Sequence, residues 1–312
     1  MTEPILHHYP VSPFAEKVRA MLGFKGLAWK SVQVPLILPK PDVVALTGGY
    51  RKTPILQIGA DIYCDTSLIA RVLERLAPSP SLFPLGDTIA VQAAAHYADN
   101  AVFGVTIPIA FQPGSGMMKA FFSDASPEYL ASFGKDRAAM RQGGTVRRGP
   151  VHECKANLPG LLAKIEAQLK APYLFGGQAC VADFALYHAL WPLWKPDDTR
   201  PMLAPYPKTL EFVERMAAIG HGKFVEITSS DAIRIAKSST LEAIKGAAAF
   251  ETGGIALGDE AQAMPVDSGL DPVRGELLSA SADEIVIRRS DPRAGTVQVH
   301  FPRLGFQLTK PA

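Results

Sequence analysis

Cysteine is scarce: Cys64, Cys154 and Cys180 are the only three in 312 residues. An odd, widely spaced trio excludes a disulfide framework and a paired-cysteine zinc site, and it suits a reducing compartment. An excess of one charge is also missing, since 32 Lys and Arg stand against 30 Asp and Glu. The balance is about +3 over residues 1–80, +2 over 81–237 and −3 over 238–312, which leaves no segment basic enough to grip a phosphate backbone. Nucleic acid is therefore not an expected partner. Nor is a membrane: the longest apolar stretch, around residues 101–111, falls far short of a bilayer span, and the first ten residues lack the basic flank and apolar core of an export signal. A cytoplasmic location is expected. Histidines are scattered, and adjacent His7 and His8 on a strand point to opposite faces, so no metal site is expected. Internal repeats and low-complexity tracts are absent too.

What the chain does have is apolar bulk, 47% hydrophobic against 20% charged residues, enough for two packed domains. Residues 4–8 read as a short strand, and after Ser12-Pro13 the apolar positions Phe14, Val18, Met21 and Leu22 fall at helical spacing up to Gly26. A strand over 30–34, a proline-rich loop and a short helix near 42–46 follow. Two β-branched runs, 54–58 and 61–64, flank Gly59-Ala60 at hairpin distance, and a helix opens at Asp65-Thr66. The order β-α-β-α-β-β-α over residues 1–80 predicts an α/β domain around a small mixed sheet. Pro78, Pro80 and Pro84 mark a linker. Residues 86–240 carry helical spacing throughout, with long candidates at 88–107, 127–141, 151–169, 181–193 and 207–219, and predict an all-α domain. Residues 246–312 change character again. The alternation over 284–288, the turn Asp291-Pro292-Arg293-Ala294-Gly295 and the run 296–301 predict a β-rich extension built on a hairpin. A lone hairpin is marginal in water, so it is expected to pack on the helical domain.

Three places carry chemistry. Ser12 stands between the first strand and the first helix, where free backbone N–H groups and the positive helix end stabilise an anion; Pro13 fits the first helical turn. A hydroxyl there can donate to a thiolate and lower a thiol pKa, although simple N-capping explains the same spacing. Lys52-Thr53-Pro54 precedes a strand, and Pro54 leaves a neighbouring backbone group free to pair with a ligand. Asp65-Thr66 opens the next helix, where N–H groups and a carboxylate can hold both ends of an α-amino acid, or merely cap the helix.

Taken together, Ser12-Pro13-Phe14-Ala15-Glu16-Lys17-Val18-Arg19, Lys52-Thr53-Pro54-Ile55-Leu56 and Asp65-Thr66-Ser67-Leu68-Ile69 resemble the thioredoxin-like N-terminal domain of cytosolic glutathione transferases, most like the serine-type tau and zeta and the cysteine-type omega classes. The resemblance implies Ser12 as the hydroxyl that activates the glutathione thiol, Thr53 as a backbone partner of glutathione, Pro54 as a cis-proline, and Asp65 with Thr66 as the γ-glutamyl anchor. Lys40 and Lys52 are candidates for the glycyl carboxylate, Lys52 being favoured for its place beside the proline turn. Ser12 stands where the omega class has cysteine, which excludes a mixed disulfide at that position. Cys180-Val181-Ala182-Asp183 resembles the family's capping box, with Asp183 structural.

The resemblance implies glutathione as co-substrate and a homodimer. It places the second-substrate pocket between the domains, with Tyr9, Phe14, His96, Tyr97, Phe103, Phe111, Met117 and Met118 as walls. Tyr9 is a rival hydroxyl, and Cys64 reads as a buried, inert thiol. Arg137, Arg141, Arg147 and Arg148 around Gly143-Gly144 read as a solvated loop capable of attracting an anion. The leading expectation is conjugation of glutathione to an apolar electrophile. A non-catalytic binding module, and a glutathione-dependent isomerase or dehalogenase, are the alternatives the same residues permit.

Overall fold

Alternation of buried positions builds the first domain. In β1 (Ile5–His8), β2 (Trp29–Gln33), β3 (Ile55–Ile58) and β4 (Asp61–Cys64), Leu6, Trp29, Leu56 and Tyr63 face one core, while Ile5, Val32, Ile55 and Ile62 face another. In the computed structural model, which describes residues 3–123, 125–244 and 246–311, β1 pairs in parallel with β2 and antiparallel with β3, and β3 pairs antiparallel with β4. Helices α1 (Pro13–Phe24) and α3 (Thr66–Leu76) cover one face of this sheet, and α2 (Pro41–Thr47) lies on the other. Ser12 caps α1, its Oγ accepting from the Ala15 amide at 3.2 Å.

The helical body follows as α4 (Ile89–Tyr97), a π-helical turn (Ala98–Val102), α5 (Phe103–Ala110), α6 (Gly116–Phe122), α7 (Pro127–Arg141), α8 (Val151–Gln168), α9 (Val181–Trp194) and α10 (Pro207–Ala218). Apolar on almost every side, α9 is its buried axis, and it packs against α1 of the first domain. Asp183 accepts from the Cys180 and Leu174 amides, both at 2.8 Å, and so holds the start of α9 as a structural residue.

Two features depart from the sequence reading. The expected all-helical stretch ends early, because β5 (Phe224–Glu226) pairs in parallel with β2, and α11 (Ser229–Ser238) buries Ala232, Ile233 and Ala236 in the core under the first domain's sheet. Helical spacing identifies an apolar face without identifying the body it meets, and three residues are too few for alternation to show. The second departure concerns the extension, which does not pack as a hairpin on the helices. Its strands β6 (Glu260–Pro265), β7 (Val273–Ala280), β8 (Glu284–Asp291), β9 (Gly295–Pro302) and β10 (Phe306–Thr309) continue the first domain's sheet, in the order β10-β6-β7-β8-β9-β4-β3-β1-β2-β5. The joint is the parallel pairing of β9 with β4, Asp61 opposite Gln298 and Tyr63 opposite His300. An open β4 edge leaves a row of N–H and C=O groups without partners, and β9 satisfies them.

A charged device reinforces the joint. His300 lies between Asp61 (Nε2 to Oδ1, 2.9 Å) and Glu284 (Nδ1 to Oε1, 2.6 Å), with its ring stacked 4.4 Å from Tyr63. Burial alone depresses an imidazole, but the Asp61 and Glu284 carboxylates outweigh it and raise His300 above its ordinary 6.5. A raised folded-state value means that its contribution is complete below 6.5 and is lost as pH climbs through the higher value. The loss of melting temperature caused by His300→Gln should therefore be larger at about pH 6 than at about pH 9; an equal loss at both would assign the histidine a packing role only.

Candidate functional site

Where the two bodies meet, a cavity of about 380 Å³ opens over the amino end of α1. It gathers Tyr9, Ser12, Phe14, Lys40, Lys52, Thr53, Pro54, Asp65 and Thr66 into one wall. The β1–α1 turn that delivers Ser12 is pinned from beneath. Arg19 donates to the Tyr9 and Pro10 carbonyls at 3.3 and 2.6 Å and to Glu16 at 2.7 Å, and Glu16 accepts from the Tyr187 hydroxyl at 2.8 Å. Burial works against the Glu16 charge, but the His221 hydrogen bond and Arg19 hold its carboxyl down to about 2. Ser12 itself is buried at 3% exposure. Its Oγ accepts from the Ala15 amide, and its hydroxyl shares a hydrogen bond with the Tyr9 side chain, so a sulfur placed here would compete with Tyr9 for the Ser12 proton.

The rest of the wall is built from two turns. The Thr53–Pro54 peptide is cis. Asp65 holds a left-handed φ of 79°, a conformation that costs a non-glycine residue about 1–3 kcal/mol, and its carboxylate accepts from the Ser67 amide and hydroxyl at 2.9 and 2.7 Å. The Thr66 hydroxyl accepts from Lys17 at 3.3 Å. Lys40 and Lys52 differ in availability. Lys52 is paired with Asp267 of the extension at 2.6 Å, whereas Lys40 donates to the Arg51 carbonyl and the Thr53 hydroxyl, at 3.4 and 3.3 Å, and lies 5.7 Å over the Tyr9 ring. Burial first, then the Arg137 charge, brings the Lys40 ammonium down to about 7. Burial raises the Tyr9 hydroxyl above its ordinary value, so it stays neutral beside Ser12.

His96, Tyr97, Phe111 and Met117 do not line this cavity. His96 and Tyr97 turn outward on α4, Met117 is sealed in the helical core at 1% exposure, and Phe111 packs edge-on against Phe121. Helical spacing fixes which residues share a face, not which face meets the cleft. Phe103 does line it, 4.8 Å from Phe14.

Several wall residues escape the sequence reading. Asp99, in the π-helical turn, accepts from Lys17 at 2.8 Å and from His188 at 2.7 Å. Its own burial opposes ionisation, yet Lys17 and then His188 keep the carboxyl at about 2. An aspartate interrupting an apolar helix was the available signal. Ser268, from the extension, had none. It arrives because residues 266–269 are stitched to the loop after α7: the Thr145 and Val146 amides donate to the Val266 and Asp267 carbonyls at 3.2 and 3.1 Å, and the Gly269 amide to the Met140 carbonyl at 2.6 Å. Gly144 makes this approach possible, because a Cβ there would stand 2.0 Å from the Asp267 carbonyl oxygen. Arg137, Arg141, Arg147 and Arg148 line the cavity instead of forming a free solvated loop.

Comparison with known proteins gives this geometry a context. Residues 6–81 match the model of the glutathione S-transferase N-terminal domain, and residues 148–221 that of the C-terminal domain. A solved GST-like protein from Pseudomonas syringae is 40% identical over 100% of both chains, with a TM-score of 0.81. A glutathione S-transferase from Rhodospirillum rubrum is 21% identical over 69% of this chain and 88% of its own, with a TM-score of 0.51. A tau-class glutathione S-transferase from mango, Mangifera indica, is 16% identical over 69% of this chain and 89% of its own, with a TM-score of 0.50. No curated protein matches the chain.

Lys17→Met should lower stability by about 3 kcal/mol in chemical denaturation, because it strands the Asp99 charge. Gly144→Ala should expose the loop after α7 to limited proteolysis. Cleavage as slow as in the unmodified protein would show that the stitch tolerates a side chain.

Proposed function

The chain belongs to the glutathione S-transferase family, and from that premise we propose that it activates the thiol of glutathione at Ser12 for attack on an electrophile. The observation that carries the reading is the placement of the Ser12 hydroxyl at the amino end of α1, lining a cavity that also holds partners for a tripeptide. Asp65 and the amide end of α3 suit the ammonium and carboxylate of a γ-glutamyl group, Thr53 the cysteinyl backbone, and Lys40 a glycyl carboxylate. Lys40 takes precedence over Lys52 here, since Asp267 already matches the Lys52 charge.

In this reading Ser12 donates to the sulfur, and the helix end adds its field. The thiol proton passes to solvent, the electron pair this leaves on sulfur forms the bond to the electrophilic carbon, and the leaving group departs with the pair of the carbon bond that breaks. Lowering the thiol from about 8.5 to about 6.5 amounts to roughly 2.7 kcal/mol, within the reach of one charge-assisted hydrogen bond plus a helix terminus. The same reading carries a homodimer, checked as twice the chain mass in light scattering.

The size of the effect sets the test. At about pH 6.5 the activated thiol is half ionised and a wholly unassisted one about 1% ionised; the helix end persists in Ser12→Ala, so turnover should fall there by about tenfold and at most about fiftyfold, and less than twofold at about pH 9, with glutathione affinity nearly kept. A loss equal at both pH values, or greater in Tyr9→Phe than in Ser12→Ala, would remove Ser12 from this role.

A further inference from the structure

The cavity over Ser12 is cationic beyond what glutathione can match. Lys40, Arg141, Arg147 and Arg148 all line the cavity, and among the described residues none has a carboxylate within 4.0 Å. Asp136 is paired with Arg51 and Arg137, Asp99 with Lys17 and His188, and Asp267 with Lys52, while Asp65, which caps α3 through Ser67, is the acid set aside above for the γ-glutamyl ammonium. A glycyl carboxylate accounts for one cation on the glutathione side and leaves the arginines unmatched. Desolvation, followed by the charges of Arg141 and Arg137, brings the Arg148 guanidinium down to about 10, so these groups repel one another in a partly dry cleft. They are also held in place, since the loop that bears them is stitched to residues 266–269. Arg148 lies 5.5 Å over the face of Phe103, which with Phe14 forms the apolar part of the same cavity.

Resting on the transferase reading above, we infer that the second substrate is an anionic electrophile: a flat apolar body against Phe103 and Phe14, bearing a carboxylate or comparable oxyanion held by Arg141 and Arg148. A wholly apolar electrophile, the expectation from sequence, would leave these cations without a counter-charge in the closed site. An oxyanion supplies that charge and accepts paired guanidinium hydrogen bonds.

Two conjugates differing in one group test this without requiring turnover. Calorimetric titration of the full chain with S-(4-carboxybenzyl)glutathione, S-(4-methylbenzyl)glutathione and glutathione should show the carboxylate conjugate binding about tenfold tighter than the methyl one, an advantage that shrinks with added salt. The ratio should fall towards one in Arg141→Gln and in Arg148→Gln. Equal affinities for the two conjugates in the unmodified protein, with glutathione bound, overturn the inference and leave the transferase reading standing. A ratio untouched by both substitutions overturns it too. If neither the conjugates nor glutathione bind, the transferase reading fails and this inference falls with it.

Discussion

A lysine ammonium at 1% exposure requires a counter-charge, and the architecture of the site follows from where Lys17 finds one. Its partner, Asp99, belongs to the helical body, and His188 on α9 completes the triad. Because Lys17 sits one helical turn beyond Ser12 and also donates to Thr66, one buried charge ties together the hydroxyl-bearing helix, the start of α3 and the opposite domain. Its neighbour Glu16 repeats the arrangement towards Tyr187 and His221. Three charged residues of α1, Glu16, Lys17 and Arg19, are therefore buried. Such networks are specific rather than strongly stabilising: an apolar pair can fill the same volume, but only these partners fix how far apart the two walls of the cavity stand.

The extension acts on the same cavity from the other side. Phe301 and Phe306 approach Tyr50 at 6.0 and 6.3 Å between ring centroids, Arg289 donates to the Ala45 carbonyl at 2.7 Å, and Arg293 pairs with Asp42 at 2.5 Å. These contacts pack α2 and the segment after it, the segment that presents Lys52, Thr53 and Pro54. The extension thus supports the turn on which the cavity's Lys52, Thr53 and Pro54 sit.

How much of this was legible follows from the range of each signal. Ser12, the proline turn and the Asp65 cap are local: the residues that define them adjoin each other, and the cavity collects all three. The β-hairpin of the extension was legible for the same reason, as alternation around a turn. Its destination was not, because an edge strand offers hydrogen bonds to any sequence of suitable pleat and nothing in β9 spells out β4. The arginines were visible as charges and misplaced as a solvated loop, since what orders them is a backbone contact with residues more than a hundred positions away. Ser268 illustrates the limit: no feature of a lone serine in a Gly/Pro-rich stretch says that it will face a cavity.

Sheet twist connects these observations. From β4 to β6 the sheet crosses four strand pairs, β4-β9-β8-β7-β6, and at about 20–25° of twist per pair the outer strands turn through roughly a right angle. A flat continuation would carry the loop between β6 and β7 away from the helical body. The twisted one folds it around α2 and α11 and encloses the second core, where Ala261, Val273 and Phe301 meet Val43, Leu46 and Ile233. The same rotation brings residues 266–269 to the cleft, where they meet the loop after α7 and the Lys52 ammonium. Closure of the arginine wall is thus a consequence of adding parallel β9 to the β4 edge, and an extension made of the β8–β9 hairpin alone would build the joint without reaching the site.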